Sequence, residues 1–214
     1  MTNVHYNRVM VFEFISVFFA TYGLALSIII YESKGSPFFE SNQSILLYYN
    51  AFCTLALVLS TFLKYKVYNA WFVARGLHSE FDTLISTGWW KSLTCEVLLL
   101  LISPYPYLYN FHYREYLDQY GIWIEYKLND LLMCFGFIRI YILLRCLLVA
   151  SKFMNPRSKR VCFMNNCEAN LLFSLKAYMK QSPFIAIFIS LAITILLFGY
   201  SFKVFEDPVS EVSK

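Results

Sequence analysis

The chain has 214 residues, of which 58% are hydrophobic and 15% are charged, and its net charge is +4. A soluble domain carries about 25% charged and about 45–50% apolar residues. This composition therefore excludes an ordinary soluble domain and predicts an all-α, multi-pass integral membrane protein whose solvent is a lipid bilayer. The modest net charge, with basic residues lying between apolar runs, gives no indication of nucleic-acid binding.

Five apolar runs are candidate membrane spans, and they cover residues 9–31, 45–62, 89–103, 128–150 and 183–202. A helix needs roughly 17–25 residues to cross a bilayer. The third run has 15 residues, so it requires extension by residues 83–88 or a thinned bilayer.

Basic residues set the expected orientation, because Lys and Arg are retained on the cytoplasmic side. The N-terminal segment and the second and fourth loops hold 11 Lys and Arg residues, whereas the first and third loops and the C-terminal tail hold 5. The sequence predicts a cytoplasmic N-terminus and an extracellular C-terminal tail, as five spans require. The plasma membrane is the expected location.

Charged residues within the spans are costly and mark function or helix pairing. They are Glu13, Glu96, Asp130, Arg139 and Arg145. We expect Glu96 to face the fourth span and to pair with Arg139 or Arg145, because neither sign of charge is tolerated alone in hydrocarbon. Glu13 lies near a span end, where we expect an interfacial position. The two arginines fit either a degenerate voltage sensor or a pair that holds helices together.

The sequence contains no recognisable catalytic motif. No His lies in a span, and no Ser/His/Asp, HExxH or paired-carboxylate motif appears. We therefore expect no enzymatic activity, no catalytic residue, no metal site and no directly bound cofactor.

The segment 168–181 has helical spacing of apolar residues with flanking lysines. The positions concerned are Leu171, Leu172, Leu175, Lys176, Met179 and Lys180. Such a helix either lies at the membrane surface or is gripped by calmodulin or a partner helix.

Residues 137–153 resemble the fourth transmembrane segment of small- and intermediate-conductance calcium-activated potassium channels. The family carries two arginines six apart, a Tyr two residues after the first, and a Ser-Lys beyond the second. Here these are Arg139, Tyr141, Arg145, Ser151 and Lys152. Weaker matches in the same order lie at 23–32, 67–70, 95–106 and 179–183, so the resemblance covers about residues 23–205.

The resemblance implies a four-helix, voltage-sensor-like bundle over residues 1–153, an amphipathic cytoplasmic linker over 154–182, and a fifth transmembrane helix with a short tail over 183–214. It also implies a homo- or hetero-tetramer with full-length subunits, opened by calcium through bound calmodulin and nearly independent of voltage. Calmodulin contact would fall on the linker residues named above, although the linker departs from the family over 162–170.

The sequence departs from the family at its C-terminal end. It contains no pore helix, filter motif, sixth span or calmodulin-binding domain, and a filter needs a ring of carbonyls. We therefore expect a truncated gene product or a short subunit that does not conduct alone. The alternative is a non-channel multi-pass protein, such as a transporter subunit or a membrane scaffold.

Overall fold

The computed structural model describes residues 2–33, 37–79, 81–117, 122–167 and 169–212. Within them the fold is mostly helical. The helices are α1 (Thr2–Glu32), α2 (Pro37–Val73), α3 (Trp89–Leu100), α4 (Leu128–Gly136), α5 (Ile140–Val149), α6 (Pro156–Met164), α7 (Leu171–Gln181) and α8 (Pro183–Val212). A 3₁₀ turn, Phe137–Arg139, joins α4 to α5 into one rod.

Four helical stretches among the described residues are long and apolar enough to cross a membrane: Val4–Glu32, Asn42–Val73, Leu128–Val149 and Pro183–Ser210. These correspond to the first, second, fourth and fifth predicted spans. The molecule is therefore a helical membrane protein, as the composition predicts.

The third predicted span differs from the expectation. Helix α3 has 12 residues, which is about 18 Å of helix against a hydrocarbon core of about 30 Å. Residues 83–88 are not helical, so the predicted extension of the third span by these residues is wrong, and the alternative of a thinned bilayer stays a prediction. Beyond Leu100 the chain continues alongside α2 without helical structure, as far as Pro104.

The central helices share one core and run antiparallel to their sequence neighbours. Ala20, Leu57, Leu100 and Ile142 form a buried cluster with one residue from each of α1, α2, α3 and α5. Small and polar residues on the buried faces, such as Ser16 and Ser60, whose hydroxyls are 2.9 Å apart, allow the backbones to approach closely.

Helix α8 contacts the rest of the protein near its two ends. Tyr31, Met133 and Val204 form a second buried cluster, and the Tyr31 hydroxyl donates a hydrogen bond to Asp207. The most apolar stretch of α8 has no buried residue, so most of this helix is available to lipid or to other chains.

A β-hairpin in the third loop is the departure from a wholly helical prediction. Strands β1 (His112–Leu117) and β2 (Ile122–Lys127) pair antiparallel, with His112 opposite Lys127. Aromatic residues favour strands, and here they face each other across the pair, with Tyr113 opposite Tyr126 and Tyr116 opposite Trp123. The rings of Tyr116 and Trp123 pack with centroids 5.0 Å apart.

Candidate functional site

The site is a buried network of four charged side chains contributed by four helices. Lys64 Nζ lies 2.9 Å from Glu96 Oε1 and 3.9 Å from Glu13 Oε1. Arg145 Nη1 lies 2.6 Å from Glu96 Oε1, and its Nη2 lies 2.9 Å from Glu13 Oε2. The Tyr65 hydroxyl donates to Glu96 Oε2 at 2.8 Å. Each acid therefore contacts both bases, and the network is neutral as a whole.

Helical register places these groups together. Glu13 shares the buried face of α1 with Ser16 and Ala20, and Lys64 shares that of α2 with Leu57 and Thr61. Residues three and four apart lie on one side of a helix, so each charge points into the same interface as its apolar neighbours. Burial makes the pairing obligatory, because an isolated ion in a low-dielectric interior costs several kcal/mol.

Arg139 forms a different contact and has no acid partner within the described ranges. It is 2% exposed, and its Nη2 donates to the backbone oxygen of Leu100 at 2.5 Å. Leu100 is the last residue of α3, where carbonyl groups lack intrahelical partners. A cation suits the negative end of the helix dipole, so Arg139 caps α3 at its C-terminus.

Asn50 stabilises the chain after α3. Its side-chain nitrogen donates to Ser103 Oγ at 2.9 Å and to the Pro104 oxygen at 3.0 Å. Irregular backbone at membrane depth is tolerated only when its polar groups find protein partners. Asn50 and Arg139 supply them, and this explains how α3 ends early.

Gly23 provides the space that Arg139 and Asn50 occupy. A Cβ at position 23 would lie 3.4 Å from Arg139 Nη1 and 3.5 Å from Asn50 Oδ1. These are ordinary van der Waals distances, so an alanine would fit, whereas a longer side chain would meet these buried polar groups. A small residue at position 23 therefore suits the packing of α1 against both.

The structure brings Glu96 and Arg145 together, whereas Arg139 contacts the α3 backbone. Two members of the network were not found from the sequence. Glu13 was expected at the membrane–water interface, which stays a prediction, but its burial between helices and its contact with Arg145 were not anticipated. Lys64 was assigned to the second loop, yet α2 extends to Val73 and carries it inside. The spacing of small residues is the signal in the sequence: along α1 it relates Glu13 to Ser16 and Ala20 within the first run, and along α2 it relates Lys64, past the end of the second run, to Thr61.

The predicted linker residues lie on α7, and the predicted start of the segment, residue 168, lies outside the described residues. Helix α7 packs through Ser174, whose hydroxyl lies 2.9 Å from that of Ser151 and donates to the Leu148 oxygen at 3.2 Å. The predicted linker residues are all exposed, and they are Leu171, Leu172, Leu175, Lys176, Met179 and Lys180.

No protein-family model and no curated protein matches this chain.

Proposed function

We propose that this chain is a subunit, or part of a subunit, of a calcium-activated potassium channel that is gated through calmodulin and is nearly insensitive to voltage. In this proposal residues 1–153 act as a voltage-sensor-like bundle with a cytoplasmic N-terminus in the plasma membrane. Residues 154–182 act as a coupling linker, and the helix from residue 183 joins the wall of a tetrameric pore. The chain is not an enzyme.

The observation that carries the proposal is the fixed position of Arg139 and Arg145. These are the two arginines by which the sequence resembles the channel family. Arg145 bridges Glu13 and Glu96, and Arg139 caps α3. Both are thus engaged with the helices around them.

A comparison of two energies, that of a charge in the membrane field and that of a buried ion pair, supports insensitivity to voltage. One charge that crosses the full field gains about 2.3 kcal/mol per 100 mV. Removing one partner from a buried ion pair costs about 3–5 kcal/mol, and Arg145 has two such partners. Ordinary membrane potentials are therefore too weak to displace it.

The exposed side of α7 supports coupling to calmodulin. Leu172 is 69% exposed and Met179 is 49% exposed, and Lys176 and Lys180 flank them. An amphipathic helix with apolar anchors at this spacing and basic neighbours is the form that calmodulin grips. Calcium would then act through calmodulin, with no calcium ligand needed on this chain.

A chimera tests the proposal. Residues 1–182 would be joined to the pore domain and calmodulin-binding region of a small-conductance calcium-activated potassium channel. The chimera would be expressed in cells without such a current. We expect a potassium current that rises with internal calcium and has the same calcium dependence at −80 and +80 mV. The 214 residues alone should give no potassium current, because they contain no filter motif.

Surface labelling of the chimera provides the control for folding and delivery. A chimera that reaches the cell surface and stays silent in high calcium contradicts the channel proposal. It leaves a membrane scaffold or transporter subunit as the better reading. A current that depends steeply on voltage would contradict the role given to Arg145.

A further inference from the structure

A cavity of about 550 Å³ lies where the end of α2 and the start of α3 meet the segment between α6 and α7. Its aromatic wall is formed by Tyr68, Trp71, Phe72 and Trp89, and the two cations that line it are Arg75 and Lys159. This cavity is separate from the ion network and from the exposed calmodulin-contact residues proposed on α7.

The two cations converge on a single ring. Arg75 Cζ lies 4.1 Å from the centroid of Trp71, and Lys159 Nζ lies 4.9 Å from the same centroid. Lys159 Nζ also lies 5.1 Å from the ring of Tyr6. Neither cation has a carboxylate within 4 Å in the described part of the chain, so aromatic faces are their partners.

Like charges held this close repel one another. Burial and the charge of Arg75 lower the pKa of Lys159 to about 8. Burial also lowers the pKa of Arg75. At neutral pH both remain charged, and a bound anion would relieve the repulsion.

The turn after α6 closes the cavity. Asn166 has a φ of 53°, a left-handed conformation that Asn adopts more readily than most residues. The Cys167 amide donates to the Cys162 oxygen at 2.9 Å. This turn presents Asn166 and Cys167 to the cavity, and neither carries a negative charge; the next residue, Glu168, lies outside the described residues.

We infer that this cavity binds the phosphate of an anionic ligand, with Arg75 and Lys159 as the phosphate contacts and the aromatic wall against the remainder of the molecule. A phospholipid headgroup and a soluble phosphate ester offer the same chemistry. Loop charges place this end of the helices at the cytoplasmic surface, where basic pockets between helices bind anionic headgroups. The inference does not depend on the channel proposal.

The test is a titration of the full 214-residue chain in neutral-detergent micelles, followed by tryptophan fluorescence and by thermal stability. The lipid probe is dioctanoyl phosphatidylinositol 4,5-bisphosphate, and the soluble probe is inositol 1,4,5-trisphosphate. We expect saturable binding of the lipid probe. The double variant R75Q/K159Q should weaken it about 30-fold, from the contribution of two basic residues.

A matched variant separates the cavity from general surface charge. K152Q/R157Q removes two exposed cations from the same end of the protein, and it should change the dissociation constant by about threefold or less. R75K/K159R keeps both charges and should retain binding.

A third variant tests the site independently in case R75Q/K159Q fails to fold. Leu77 lines the cavity and is more than half exposed, so L77D adds a negative charge without removing a buried contact. It should also weaken binding.

Three results would overturn the inference: no saturable binding by the wild-type chain, equal weakening by K152Q/R157Q, or unweakened binding by both L77D and R75Q/K159Q. If the soluble probe binds as well as the lipid, the phosphates alone are recognised. If only the lipid binds, the ligand is a membrane lipid. Either pattern supports the phosphate site.

Discussion

At the scale of single residues, the balance of charge in the buried network decides how much stability a substitution there removes. Glu13, Lys64, Glu96 and Arg145 come from four different helices, and each acid touches both bases. Removing one member leaves a net charge among helices that exclude water. Removing one acid and one base leaves a neutral pair, so charge balance predicts strong non-additivity between neighbouring substitutions.

We therefore expect Glu96→Gln to lower the free energy of unfolding by about 3 kcal/mol, because it leaves two cations facing one anion. The double variant Lys64→Gln/Glu96→Gln should cost less than the sum of its two single variants, since Glu13 and Arg145 still pair. Reversible unfolding of the full chain in mixed micelles measures all of these values.

Glu125→Gln is the matched control for this cycle. Glu125 pairs with Arg114 at 2.7 Å on the exposed hairpin, where both side chains are at least half exposed. A surface pair of this kind contributes about 0–1 kcal/mol. Equal losses from Glu96→Gln and Glu125→Gln, or strict additivity in the Lys64/Glu96 cycle, would contradict the network.

At the scale of elements, hydropathy located four helices well and failed at their polar ends. The apolar run that ends at residue 62 gave no reason to continue α2 past Lys64, because a lysine normally marks the end of a span. The helix continues because Lys64 finds Glu96 and Glu13, and those partners lie on other helices. No local pattern contains that information.

Helix α3 shows the reverse case. Its sequence is apolar as far as Ile102, and hydropathy alone would continue the helix. The helix ends at Leu100 because Arg139 donates a hydrogen bond to the Leu100 oxygen and Asn50 donates to the Pro104 oxygen and to Ser103 Oγ, which satisfies polar groups of the non-helical chain. The Glu96–Arg145 contact was predictable from charge cost alone, whereas the choice of Arg145 over Arg139 depends on this tertiary arrangement.

The prediction at the scale of elements concerns calmodulin binding to α7. The full chain in micelles should bind calmodulin with calcium and not with a calcium chelator, because calcium-loaded calmodulin takes up apolar anchors. Leu172→Asp/Met179→Asp should abolish binding, since it removes two exposed anchors while Lys176 and Lys180 remain. Titration calorimetry measures the affinity.

Two exposed apolar residues of the neighbouring helix give the control. Val161→Asp/Met164→Asp makes the same charge change on α6 and should leave the affinity within about threefold of wild type. Binding that is equal with and without calcium, or lost equally in both variants, would favour a helix that lies at the membrane surface.

At the scale of the whole molecule, the contacts define two opposite ends. Tyr109 of the third loop donates to Gln43, near the start of α2, at 3.3 Å. Tyr68, near the other end of α2, packs on Trp89 with ring centroids 4.8 Å apart. The segment from Trp89 to Pro104 therefore follows α2 from one end towards the other, although only its first part is helical.

The Leu128–Val149 span lies between the third loop and the α6–α7 segment, which predicts that these two segments lie on opposite sides of the membrane. Cys167 is exposed between α6 and α7, and Tyr107 is 90% exposed in the third loop. In a Cys95→Ser background, which removes the exposed cysteine of α3, Cys167 is the native probe. Tyr107→Cys combined with Cys167→Ser is its counterpart. Because the loop charges predict a cytoplasmic position for Cys167, we expect a membrane-impermeant maleimide to label the cysteine at position 107 in intact cells. It should label Cys167 only after permeabilisation. Labelling of both positions from the same side would show that the Leu128–Val149 span, which lies between them, does not cross the bilayer. Labelling with the two positions exchanged would show either that the segment from Trp89 to Pro104 does not cross or that the orientation is reversed, and it would contradict the predicted topology.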